Sequence, residues 1–465
     1  MQESSANVKC QYFAAFVVNM LSAGYGVTAG WASPSLILLT SDETPLQSGQ
    51  ITMDEASAVA ALTSLGGLIG NIFFGWITSK FGRKNPLVFM TIPTIISWLL
   101  ILYGQNVFHL YASRILSGFV GGGIFVIVPA FLSEIAVDRV RGVLGSMLTL
   151  TCNVGILLAF IFGKYLDYFA TPKIVIALTV ACAILLFFLH ESPSVLIKAN
   201  KTLEAEKSIK FYQNLNVNND KDFKHLQSEM NRLQNTIANV NEDKTSDNSF
   251  KWSDLTVAPG KNAMMIGIVL VLLNQFCGCV AMLNYTAKIF KDAGSNMDPN
   301  MSAIVVGIIQ LIGSYVTTNL VDRAGRKFLY VVSSIGIALG LITLGTYMML
   351  KTSGYNVEIF NWVPITSFSF VIFIGSWGVL TLPFLVISEI MPEKLKNFGP
   401  SFCMIILWSS QFLVVKYLPL LTDTLGFHYT LFIFAGVCLF GAMFIIASMP
   451  ETKGRSYDEI MKMLR

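Results

Sequence analysis

Charge is scarce in this chain. Of 465 residues, 13% are Asp, Glu, Lys or Arg, against 54% hydrophobic, and mean hydropathy is +0.61. That balance excludes a water-soluble protein of this size, because one soluble core cannot hide so much apolar surface. Acid is missing from the first apolar stretch, where residues 11–40 hold no Asp or Glu. A membrane carboxylate is the usual proton carrier, and this stretch offers none. No G-x-x-x-x-G-K-[ST] loop is present, which argues against ATP drive. The chain has four His and seven Cys. The cysteines lie mostly inside apolar stretches, and the only close pair, Cys277-Gly278-Cys279, lacks the partners of a metal site. Neither a disulfide framework nor a metal centre is readable. The few charges at membrane depth form no catalytic constellation, so we expect no enzyme, no cofactor and no metal. The net charge of +4 is small and does not argue for nucleic acid.

What is present is a series of apolar segments, each long enough to cross about 30 Å of hydrocarbon. They lie near 12–36, 56–78, 85–104, 108–134, 142–164, 171–190, 262–286, 301–321, 328–349, 360–388, 398–421 and 429–449. The expected fold is an all-α membrane protein of twelve transmembrane helices. Its expected divisions are residues 1–190, a polar linker at 191–260, residues 261–449 and a tail at 450–465. Within the linker, 201–215 and 222–237 have helical spacing. Leu203, Ile209 and Phe211 alternate with charge, and Phe223, Leu226, Met230 and Leu233 form a stripe. Residues 240–248 are polar and turn-rich and are expected to be mobile. Gly118, Gly121, Gly122 and Gly123 crowd the fourth segment, where small residues let helix backbones approach closely.

The chain also repeats itself. Asp322-Arg323-Ala324-Gly325-Arg326-Lys327 echoes Ser79-Lys80-Phe81-Gly82-Arg83-Lys84, each between two apolar runs. Ser388-Glu389-Ile390 echoes Ser133-Glu134-Ile135, and Glu451-Thr452 echoes Glu191-Ser192. Landmarks recurring in one order mark a duplicated membrane unit. The short loops that carry Arg83, Arg141, Arg326 and Lys396 are the more basic, so they are expected on the cytoplasmic side, together with both termini and the linker. The polar start at 1–11 runs straight into a full-length span, and no cleaved leader is expected. Asn300-Met301-Ser302 is a formal glycosylation sequon on the other side.

Taken in order, Gly82-Arg83-Lys84, Arg114 with Gly118, Ser133-Glu134, Arg141-Gly142, Glu191-Ser192-Pro193, Gln275 with Gly278, Asp322 to Lys327, Ser388-Glu389 and Pro450-Glu451-Thr452-Lys453-Gly454-Arg455 form a set covering nearly the whole chain. In this the chain resembles the sugar porters of the major facilitator superfamily. The stretches from Ile289 to Ser295 and from Gly30 to Pro34 look most like the insect facilitated trehalose transporters. The resemblance implies two six-helix halves and facilitative transport of a sugar, trehalose or a hexose, across the plasma membrane by a monomer.

Site residues follow from two lines. Buried amides are costly without partners, so those at mid-membrane depth mark a substrate path. Asn274 and Gln275 in the seventh span, Gln310 in the eighth and Thr149 in the fifth are of this kind, and the resemblance gives all four sugar-contacting positions. It also implies that Phe384 and Trp408 cover the sugar. Arg83, Glu134, Arg141, Asp322, Arg326, Glu389 and Lys396 fall at cytoplasmic helix ends, where opposite charges can pair across the two halves. The resemblance implies an inner gate there.

The chain also departs from the family. Ser79 replaces an Asp, and His190 and Ser194 replace the residues around Glu191-Ser192-Pro193. Val280 and Leu407 replace amides, and Phe384 replaces a Trp. Val27 stands where proton-coupled relatives carry Asp. Two other readings stay open on the sequence alone: a proton-coupled sugar or polyol symporter, and a sugar receptor that does not transport.

Overall fold

The computed structural model describes residues 8–215, 220–245, 257–293, 297–395, 398–455 and 457–464. Twelve helical spans are long and apolar enough to cross a membrane, and the described residues contain no strand. The first six are α1 (Lys9–Leu39), α2 (Met53–Phe81), α3 (Lys84–Leu102), α4 (Val107–Ile135), α5 (Asp138–Tyr165) and α6 (Ala170–Phe187). Within this group α2 packs on α4, α1 on α5 and α3 on α6. The glycines of α4 make the first of these contacts very close. A Cβ on Gly118 would lie 1.9 Å from the Thr63 carbonyl oxygen, and one on Gly122 would lie 2.1 Å from that of Gly67. Only a residue without a side chain permits that approach.

A cluster of short helices follows: α7 (Pro193–Lys198), α8 (Thr202–Gln213) and α9 (Asp220–Thr245). The expected stripes are partly right. Ile209 and Leu226 are buried, and Met230 and Leu233 pack against Leu196, Ile197 and Ala205. Leu203 and Phe223, in contrast, are exposed. Residues 240–245, expected to be turn-rich, continue α9 as helix, and 246–248 lie outside the described residues. Tyr212 of α8 docks the cluster onto the bundle. Its hydroxyl donates to the His190 carbonyl at 2.5 Å, and its ring meets Phe131 of α4 edge-on.

The second group departs from twelve unbroken rods. The seventh span is divided into α10 (Gly260–Phe276), α11 (Cys279–Asn284) and α12 (Thr286–Ala293). Gly278 is the cause: its φ of +78° is left-handed, and a Cβ there would strike the Phe434 ring at 2.2 Å. The spans α13 (Pro299–Ala324) and α14 (Arg326–Thr352) are continuous. The tenth is split into α15 (Val363–Trp377) and α16 (Pro383–Ile390), because Pro383 starts a new helix and cannot continue the old one. Last come α17 (Phe398–Leu425), α18 (Phe427–Ser448) and the short α19 (Tyr457–Met463). α14 packs on α15 and α18, α13 on α15, and α10 on α17. The two groups meet chiefly through α2 with α17 and α5 with α13. The second and fifth spans thus meet the fifth and second spans of the other repeat across the middle of the molecule.

Candidate functional site

The break in the tenth span exposes backbone groups that hydrocarbon cannot satisfy. Side chains from three other spans do so instead. Asn274 of α10 donates its amide to the Val379 carbonyl at 2.7 Å. Ser333 of α14 accepts from the Val379 N–H at 3.2 Å. Thr317 of α13 and Thr381 both donate to the Ser376 carbonyl, at 2.8 and 2.7 Å. Polar residues that look costly in a membrane therefore hold an irregular segment open at depth.

Gln275, 3% exposed, donates to the Asn274 side-chain oxygen at 2.7 Å. Gln310 of α13, 6% exposed, donates to the Asn153 side-chain oxygen of α5 at 3.2 Å. Asn153 in turn donates to the Ser314 hydroxyl at 2.6 Å. Thr149 is half-buried, one helical turn from Asn153. Phe384 of α16 stacks on Phe125 of α4, with centroids 6.0 Å apart and planes 22° apart. Trp408 of α17 meets the same Phe125 ring edge-on at 6.2 Å, and its own ring fills the space over Gly67. The six candidate residues therefore fall into three clusters: an amide pair in α10, an amide bridge from α5 to α13, and an aromatic group joining α4, α16 and α17. Sequence reasoning missed Phe125 and Asn153. Phe125 carried no signal among 34 phenylalanines, but Asn153 could have been found by the rule that found Gln310.

Arg114 is 1% exposed in α4. Its guanidinium donates to the carbonyls of Val59 at 3.1 Å and Thr28 at 2.8 Å and lies over the Trp31 ring. Carbonyl dipoles and a π face hold this cation beside Val27, in an α1 stretch without Asp or Glu.

The charged residues at the basic end form two matching networks. In the first, Arg83 donates to Glu134 at 3.0 Å, and the Ser192 hydroxyl also donates to Glu134. The Glu191 carboxylate accepts from the N–H groups of Arg83 and Lys84 at 2.9 and 3.0 Å, capping α3. In the second, Arg326 donates to Glu389 at 3.1 Å, and the Thr452 hydroxyl to Glu389 at 2.6 Å. Glu451 accepts from the N–H groups of Arg326 and Lys327 at 2.9 and 3.1 Å, capping α14. A carboxylate at each helix N-terminus satisfies free donors and complements the helix dipole. Gly82 and Gly325 make room, with φ of +81° and +92°.

The expectation was pairing across the halves. For Arg83–Glu134 and Arg326–Glu389 the structure instead places both members in the same half, because the duplicated Arg and Glu fold onto their own repeat. Arg141 reaches the Ala136 carbonyl of its own half at 3.4 Å. The side chain of Asp322 and all of Lys396 lie outside the described residues.

Among the described residues, charged ties across the halves lie at the opposite end. Lys416 of α17 donates to Asp54 of α2 at 2.7 Å and to Ser57 at 3.0 Å. Lys164 of α5 donates to Asp298, the cap of α13, at 2.6 Å. The Ala287 N–H of α12 donates to the Ser33 hydroxyl of α1 at 3.0 Å. The hydrogen bond from Lys164 holds the Asp298 carboxyl below the ordinary carboxylate range.

The sequence matches the model of the sugar (and other) transporter family over residues 14–464. The chain belongs to that family. A family member of this kind is a carrier built into a membrane, not an enzyme, and its substrate is a small molecule. The facilitated trehalose transporter Tret1 of Bombyx mori is 32% identical, over 97% of this chain and 86% of its own length. Tret1 of Polypedilum vanderplanki is 31% identical, over 97% and 87%. Among solved structures, the inward-open xylose transporter XylE from E. coli superposes with a TM-score of 0.78 at 19% identity, covering 97% of this chain and 99% of that one. XylE bound to 6-bromo-6-deoxy-D-glucose gives 0.77 over 99% and 100%. These likenesses establish the major facilitator fold.

Proposed function

We propose that this chain carries a sugar, trehalose or a hexose, down its gradient across the plasma membrane by alternating access. The observation that carries the reading is the set of buried amides, Asn274, Gln275 and Gln310, at mid-depth beside broken helices. Amides offer both a donor and an acceptor, which suits hydroxyl groups. Thr149, Phe384 and Trp408 complete the binding site, the two aromatic rings covering the sugar's apolar face. Trehalose is the sugar named for the relatives in Bombyx and Polypedilum. The basic loops place both termini and α7 to α9 in the cytoplasm. The path runs between two halves of one chain, so a monomer suffices. Arg83, Glu134, Arg141, Asp322, Arg326, Glu389 and Lys396 are assigned to the cytoplasmic gate, where Arg83–Glu134 and Arg326–Glu389 each brace one half, while the lysine pairs at the outer end hold that side shut. Uniport is favoured because α1 lacks a carboxylate over residues 11–39 and Arg114 is held by carbonyls and a ring.

The test is uptake of radiolabelled trehalose and glucose into liposomes containing the full chain. Saturable uptake that stops at equal concentrations and ignores a protonophore is the expected result. Accumulation above the external level, abolished by the protonophore, would replace uniport with symport. No uptake of any sugar in the panel would overturn the carrier reading. Gln275→Ala should lower uptake about tenfold at unchanged expression, since it removes a buried donor and acceptor.

A further inference from the structure

We infer that Asn153 is a sugar-specificity residue contributed by the first half, and that sugar binding takes its amide out of a hydrogen-bonded tie between the two halves. The inference rests on the carrier reading above and deepens it. Asn153 sits at the middle of α5, and Gln310 at the middle of α13. Both are therefore at mid-membrane depth, where α5 and α13 join the two groups of spans. Asn153 donates to Ser314 at 2.6 Å and accepts from Gln310 at 3.2 Å. All three residues are buried.

A bridge that served only as glue would satisfy its members. This one does not: Gln310 Oε1 is buried and has no hydrogen-bond partner among the described residues. An unpartnered acceptor in a low-dielectric interior is unfavourable, and a hydroxyl donor relieves it. Asn153 lies one helical turn from Thr149, which is assigned to the same proposed site. A sugar presents several hydroxyls, each able to donate to Gln310 Oε1 and accept from an amide N–H. The amide has two N–H groups, and a sugar that turns it toward itself to accept from one draws the other away from Ser314. Binding then weakens one contact between halves that must separate during the cycle, so the ligand favours the state in which they part.

The substitutions Asn153→Val and Ser314→Ala separate the two roles by sign. Both remove the Asn153–Ser314 bond, and Ser314→Ala leaves the one from Gln310; only the first removes the sugar contact. In the same liposome assay, with radiolabelled trehalose and glucose, Asn153→Val should raise KM about tenfold. Ser314→Ala should lower KM by a factor of about two to five, because the sugar no longer displaces the Ser314 hydroxyl. Shifts of KM in the same direction, or none in either variant, would reduce the bridge to packing and overturn the inference. Should Asn153→Val fail to fold, Ser314→Ala decides alone: a KM that rises or stays unchanged overturns it. Wild-type uptake separates the two levels. If the wild type moves neither sugar, the carrier reading and this inference fall together; if it moves sugar and the KM values do not split, only this inference falls.

Discussion

The two ends of the bundle use charge differently. At the basic end, Arg83–Glu134 and Arg326–Glu389 each close within one half, and Glu191 and Glu451 cap helices of their own repeat. At the other end, Lys416–Asp54 and Lys164–Asp298 join one half to the other. A pair inside a rigid half keeps its geometry whichever way the halves rock. A pair between halves exists in only one of the two states. Charges at the basic end should therefore set stability, and those at the opposite end should set the resting conformation.

The largest effect expected is on stability at the basic end. Gly325→Ala forces a left-handed φ on a residue with a Cβ and pushes that atom to 2.7 Å from Glu451. Backbone strain and the lost helix cap together cost roughly 2–3 kcal/mol. Gly82→Ala, with its Cβ 2.4 Å from Glu191, should behave alike. Melting in detergent checks both, and a large drop for one glycine only would break the equivalence of the halves.

Next in size is Glu389→Gln. It removes a charge-assisted partner from the partly buried Arg326 at a cost of about 1.5–2 kcal/mol. Melting temperature should fall. Labelling of a cysteine at Thr381 from the basic end should not change. A marked rise in labelling would mean that this pair does differ between states.

The opposite end should give the reverse pattern. Asp54 is 87% exposed, so its pair with Lys416 contributes about 0.5–1 kcal/mol at most. Lys416→Ala should leave melting unchanged and raise the population open at that end about two- to fivefold. Spin labels at Tyr165→Cys and Met297→Cys, both exposed positions, report the opening as a longer distance. An unchanged distance distribution would show that the pair does not latch the halves.

The smallest effect is that of acid. Asp298 is held below its ordinary carboxyl value of 3.8 by Lys164 in the shut state. A depressed value means that the stabilisation is fully present above the ordinary value and is lost as pH falls through the depressed one. The same labels should separate only below about pH 4, and Asp298→Asn should abolish that acid response. Opening near neutral pH would point to another group.

Much of this was legible in the chain because hydrocarbon imposes simple rules. Twelve spans followed from length and hydropathy, and the duplicated Gly-Arg-Lys and Glu pairs announced two related halves. Gln310 and Gln275 stood out as amides in apolar runs. What escaped was partnership. Gly278 and Pro383 were visible, but whether each bends or divides a span depends on neighbours such as Phe434 and Asn274 that satisfy or block the backbone. Phe223 matched a helical stripe yet lies exposed, since a stripe is buried only where something covers it.

Sequence by itself determined the solvent, the number of crossings, the repeat and the chemistry of the polar residues, because these depend on composition and local spacing. Only the tertiary structure decided that Arg83 meets Glu134 and not a residue of the other half, that Lys416 reaches Asp54, and that Asn153 bridges to Ser314 and Gln310. Those are contacts between distant segments. A hydrogen bond needs its partners within about 3 Å of each other, and that proximity is set by how whole helices pack.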